Sequence, residues 1–177
     1  MSAEQPSGWV LRFAHLLRPG GRALDLACGR GRHALFLASR GLHVLAVDRD
    51  VDALESLRGH KGVIPLRAEL EDGPWPLPGF RFDAVVVTRY LHRPLLPDLV
   101  ASVDEGGVLL YETFLSGQEA LGKPTRPDFL LRPGELREAC AGLTVVAFEE
   151  GRFEEPDPVM LQRICAVRGP APQVTPA

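Results

Sequence analysis

Apolar residues fall along this chain in two alternating patterns, short near-continuous runs and stripes at helical spacing, parted by Gly and Pro. Trp9, Val10, Phe13, Leu16 and Leu17 form the first stripe, which Pro19, Gly20 and Gly21 close. A strand follows at Leu24, Leu26 and Ala27, then Ala34, Leu35, Leu37 and Ala38 start a second stripe that Gly41 stops. The run at 43–47 predicts a second strand, 50–57 a short helix, and 63–66 a third strand whose Pro65 removes a ladder donor and so suits a sheet edge. Residues 82–87 are almost unbroken apolar, as in a strand covered on both faces. A helix at 94–103, a strand at 107–111, a helix at 133–141 and closing strands at 143–148 and 159–167 complete the pattern. This alternation predicts an α/β domain built on a mostly parallel sheet with crossover helices.

The 177 residues suit a single domain, expected over 1–168, with the Pro-rich stretch 169–177 expected to be a disordered tail. A net charge of -3 argues against a nucleic-acid partner that must be neutralised at many phosphates. Cys28, Cys140 and Cys165 are odd in number and lack metal-ligand spacing, so neither a disulfide framework nor a metal site is expected. The first residues have no signal-peptide architecture and no apolar run is long enough to span a bilayer, which points to a cytoplasmic protein with no membrane partner.

The chemistry concentrates in residues 23–41. There an apolar strand, a turn freed by Gly29 and Gly31, and the start of a helix make a construction that can close backbone N–H groups around a polar ligand. Asp25 stands inside the apolar strand, where an unpaired carboxylate is costly, so it requires an N–H or cationic partner. Asp48 ends the next strand. Gly29, Gly31 and Ala34 also satisfy the dinucleotide pattern G-x-G-x-x-A, which keeps a nicotinamide-dependent oxidoreductase open as an alternative.

Asp25, Cys28, Gly29 and Gly31, followed by Asp48 after the run 43–47, resemble the class I S-adenosylmethionine-dependent methyltransferases. The resemblance extends over roughly residues 8–168 and implies a single Rossmann-like sheet of seven strands, mostly parallel, with an antiparallel C-terminal strand. It implies S-adenosylmethionine as cofactor. By the same resemblance the glycine turn faces the methionine carboxylate, Asp25 lies near its ammonium group, Asp48 accepts the ribose hydroxyls, and Ala68 and Glu69 lie at the adenine. Thr88 ends the fourth strand on the cofactor side, where the methyl group is presented, and Tyr90 and His92 follow as candidates for touching the acceptor. Arg89 stands between them where the family places a small polar residue.

The segment 111–136 is rich in turn formers and carries Lys123, Arg126 and Arg132, so it is the candidate substrate cover, with Phe114 and Arg126 as further acceptor contacts. Its basic residues favour a small anionic acceptor. The small size and this cover make the chain similar to the tellurite-resistance-like subgroup of small methyltransferases, without implying that activity. The expected reaction is in-line transfer of the sulfonium methyl to a small molecule, a non-catalytic cofactor-binding protein being a further alternative.

Overall fold

The computed structural model describes residues 5–172. Its seven strands are β1 (Arg22–Leu26), β2 (His43–Asp48), β3 (Val63–Arg67), β4 (Phe82–Thr88), β5 (Val103–Phe114), β6 (Thr144–Glu154) and β7 (Pro158–Val167). They form one sheet in the order β3-β2-β1-β4-β5-β7-β6. The first five pair in parallel, and β7 runs antiparallel between β5 and β6. Chain order reverses at β1 and β4, so the carboxyl ends of these neighbours open the crevice in which doubly wound sheets bind ligands. Pro65 sits on β3, an edge strand, as its missing N–H requires.

Five short helices cover the sheet: α1 (Gly8–Arg12), α2 (Arg32–Ser39), α3 (Val51–Glu55), α4 (Leu96–Ala101) and α5 (Glu135–Ala139). Strand alternation divides the core in two. Ala23, Ala84, Val86, Val108 and Leu110 pack with Trp9, Val10, Leu37 and Leu54 from α1, α2 and α3. Leu24, Leu26, Val85, Val87, Leu109 and Tyr111 pack with Leu99 and Leu136 from α4 and α5 on the other side. Each side chain fully buried here contributes about 2 kcal/mol through apolar area removed from water.

Several boundaries differ from the sequence reading for physical reasons. The first helical stripe is one turn of α-helix followed by a 3-10 turn at Ala14–Leu16. The helix expected at 94–103 divides into a 3-10 turn, Arg93–Leu95, and α4. Val103 already belongs to β5, pairing with Phe82 before the register slips to Ala84 and Val108. Gly107 permits that slip, because a Cβ there would stand 2.8 Å from the carbonyl oxygens of both Asp104 and Phe82. Strand β6 continues to Glu154, six residues beyond the expected end. Its second half is polar because it is an edge strand held largely by ion pairs. Arg163 on β7 donates there to Glu149 at 3.0 Å, and also to Glu112 and Glu155. Of the expected tail, Gly169 accepts a hydrogen bond from Thr144 Oγ1 at 2.6 Å, and residues 173–177 lie outside the described residues. Among the described residues no helix is long and apolar enough to cross a membrane.

Candidate active site

The glycine turn and the start of α2 are held by two carboxylates, Asp25 and Asp48, that the sequence pattern placed there. Alternation along β1 turns Leu24 and Leu26 to one side of the sheet and Asp25 to the other, towards α2. Helix α2 begins at Gly31, which has no side chain to cap it, and Asp25 Oδ2 takes that role from β1 by accepting the Ala34 N–H at 2.8 Å. Burial pushes the Asp25 carboxyl up to about 7; the Ala34 hydrogen bond and the nearby Arg32 oppose the shift, and Asp48 adds to it. Asp48 binds the turn from the other side, its Oδ2 accepting Gly29 N–H at 2.7 Å and its Oδ1 accepting Asp50 N–H at 3.0 Å.

The two glycines are not equivalent. Both have positive φ, 55° at Gly29 and 74° at Gly31. A Cβ on Gly31 would meet Leu57 Cδ2 at 2.4 Å, whereas a Cβ on Gly29 would have nothing within 4 Å. Gly31 is therefore required by packing and Gly29 leaves the turn open to a ligand. Cys28 beside them is buried, and burial together with Asp25 and Asp48 drives its thiol upward, so it stays protonated.

The carboxyl ends of β1, β2, β4 and β5 and the segment after β5 enclose a cavity of about 790 Å³. Asp48, Glu69, Tyr90, Phe114 and Arg126, all expected in the site, line it. Asp25, Cys28, Gly29, Gly31, Ala68 and Thr88 are not among its lining residues. Ala68 N–H donates to the Asp48 carbonyl at 3.0 Å, and Thr88 Oγ1 lies 3.4 Å from His33 Nδ1. His92 is also outside the lining, because the chain turns there into the 3-10 turn Arg93–Leu95.

The structure brings in residues the sequence reading did not assign. Ala27 and Arg89, at the ends of β1 and β4, are the two non-glycine residues with positive φ among those described, each at 53°, and both line the cavity. Such conformations cost energy and concentrate where ligands are held. His33 is buried, accepts the Ser7 N–H through Nε2 at 3.1 Å, and thereby ties the start of α1 to α2. Burial, with Arg32 and Arg89, pushes it down to about 3, so it is neutral and presents its Nδ1 proton to Thr88. The Tyr90 hydroxyl is buried without a partner, and its acidity is lowered by burial and by the carboxylates of Glu71 and Glu69.

The cover is stitched down. Arg93 forks onto Glu135, with Nε–Oε1 at 2.6 Å and Nη2–Oε2 at 3.0 Å, and also donates to the carbonyls of Asp128 and Leu130. Gln118 accepts Met160 N–H at 2.8 Å and donates to the Lys123 carbonyl at 3.1 Å. The cavity is lined by the carboxylates Asp48, Glu69 and Glu71 with Arg49 among them, and by Arg89, Lys123 and Arg126 with the aromatic rings of Phe114 and Phe129.

Residues 23–106 match the family described as a methyltransferase domain. Among solved structures, the chain superposes with a TM-score of 0.74 on TehB from Haemophilus influenzae, at 19% identity over 93% of this chain and 63% of that one. A S-adenosylmethionine-dependent methyltransferase from Mesorhizobium loti gives 0.70 at 19% identity, covering 92% and 99%. A protein of Eikenella corrodens named hemagglutinin 1 is 29% identical over 140 residues, and the chain spans 46% of its length. The match over residues 23–106 is to a methyltransferase domain, and the strand order with its antiparallel β7 is the fold of the S-adenosylmethionine-dependent methyltransferases among these solved structures.

Proposed function

We propose that this chain transfers a methyl group from S-adenosylmethionine to a small, anionic acceptor by in-line displacement. The observation that carries the reading is one cavity lined both by Asp48, which grips the glycine turn, and by Arg89, Lys123 and Arg126.

The acidic lining fits the cofactor by donor chemistry. Asp48 is fixed through two backbone N–H groups and retains lone pairs for ribose hydroxyls. Gly29 leaves its backbone approachable. Asp25, behind the turn, stabilises a cofactor ammonium once its carboxyl ionises, and Glu69 with Leu70 borders the adenine position. The cofactor supplies the electrophilic carbon and the leaving group. The chain's residues do the rest: they fix one reactant against the other and keep water out. The cover, held by Arg93, Glu135 and Gln118, closes over the acceptor, and Tyr90 and Phe114 form walls.

Isothermal titration with S-adenosylhomocysteine and, separately, NADH tests the reading. Micromolar S-adenosylhomocysteine binding that Asp48→Ala abolishes, with no NADH binding, is the expected result. NADH binding alone overturns it in favour of an oxidoreductase.

A further inference from the structure

We infer that the basic lining of the cavity is a subsite for a planar organic carboxylate, with Arg89 as its anchor. The inference rests on the methyl-transfer reading and names the acceptor class that reading leaves open.

Arg89 is held in a conformation that L side chains adopt only at a cost, φ 53°, at the end of a central strand. Two hydrogen bonds enforce it: its own N–H donates to the Glu112 carbonyl at 2.8 Å, and the carbonyl of the next residue, Tyr90, accepts from the Tyr111 hydroxyl at 2.8 Å. The result aims a guanidinium over the Phe114 ring at 5.9 Å. Neither Arg89 nor Lys123 forms an ion pair among the described residues, whereas Arg18, Arg93 and Arg163 are tied to carboxylates. Arg126 adds a third positive charge, stacked on Phe129 at 5.2 Å, and its partner Asp128 is not part of the cavity wall.

The three cations are exposed, but the backbone of the segment that carries Lys123 and Arg126 is tied down. Gln118 holds the Lys123 carbonyl, and Arg93 holds the carbonyls of Asp128 and Leu130 on either side of Phe129. The acids that line the cavity, Asp48, Glu69 and Glu71, come from β2 and the segment after β3 and form no ion pair with these cations. Arg89 and Lys123, without an ion-pair partner among the described residues, call for an anion. A guanidinium presents the planar fork that matches a carboxylate, and Phe114, Phe129 and Leu91 offer flat apolar surface for the body that bears it.

The test titrates the protein, saturated with S-adenosylhomocysteine, with benzoate and with its uncharged isostere benzamide. Arg89→Gly and Lys123→Met are examined beside the wild type. Benzoate is expected to bind, benzamide to bind at least about tenfold more weakly, and both substitutions to weaken benzoate about tenfold through loss of a charge-assisted contact. Arg89→Gly is expected to melt no lower than wild type, since glycine accepts the positive φ, and to bind S-adenosylhomocysteine unchanged. Equal binding of benzamide and benzoate, benzoate binding indifferent to Arg89→Gly, or no benzoate binding each overturns the subsite. Failure of S-adenosylhomocysteine to bind instead strikes the methyl-transfer reading, and benzoate titrated into unloaded protein then decides the subsite separately.

Discussion

Asp25 makes the sharpest prediction because its two demands conflict. The carboxylate caps α2, yet it is 1% exposed, and burial raises its pKa from 3.8 to about 7. In the unfolded chain the group titrates near ~3.9. The folded protein therefore holds this proton more tightly. Its contribution to stability is fully present below about pH 4 and is lost as pH rises through 7, where a buried charge remains. A shift of about three units corresponds to about 4 kcal/mol across that window. Asp25→Asn keeps an oxygen for the Ala34 N–H and cannot ionise. In urea denaturation its stability relative to wild type is expected to rise steadily between pH 4 and 7, by up to about 4 kcal/mol, and to level off above. Cofactor binding should also release a proton near pH 6.5 in wild type, because an ammonium group favours the ionised carboxylate, and release none in the variant. Calorimetry in buffers of different ionisation enthalpy measures that release. A stability difference that is flat with pH refutes the reasoning.

Other expectations follow from single contacts. Gly31→Ala should cost about 2–4 kcal/mol, combining left-handed strain with the clash on Leu57, whereas Gly29→Ala should cost only about 1–2 kcal/mol and chiefly weaken S-adenosylhomocysteine binding; denaturation and titration of both separate these effects. Tyr90→Phe removes a buried hydroxyl without a partner among the described residues and should leave the melting temperature equal or higher while weakening the acceptor probe benzoate several-fold; unchanged affinity would assign Tyr90 to packing alone. Arg93→Ala leaves the buried Glu135 carboxylate without its fork and should cost about 2 kcal/mol or more, much of it recovered by adding Glu135→Gln in a double-mutant cycle.

Features that repeat along a chain were legible in this one, and features made by two distant segments were not. Apolar runs at 43–47 and 82–87 marked β2 and β4, Pro65 marked an edge, and the runs after residue 143 marked a closing strand pair whose antiparallel pairing came from the family resemblance. The second half of β6 escaped notice because an edge strand held by Arg163 and its glutamates carries no hydrophobic alternation. At the site, Asp48 was legible as an acid ending an apolar strand. Asp25 was equally visible, but only the structure shows that its present partner is the Ala34 N–H. The positive φ of Ala27 and Arg89 has no sequence signal, since neither residue type favours that conformation. His33 reads as an ordinary helical residue until Ser7 and Thr88 are seen on its two ring nitrogens. His92 seemed well placed by spacing alone, and a 3-10 turn carries it out of the cavity wall.

The central claim is that the turn at Gly29 and Gly31, with Asp48, holds the cofactor. Titration of ¹⁵N-labelled protein with S-adenosylhomocysteine, followed amide by amide, tests it most directly. The account predicts the largest shifts at residues 28–34, 48–50 and 69–71, with β6 at the far edge of the sheet undisturbed. Shifts confined to other segments, or none at saturating ligand, would contradict it.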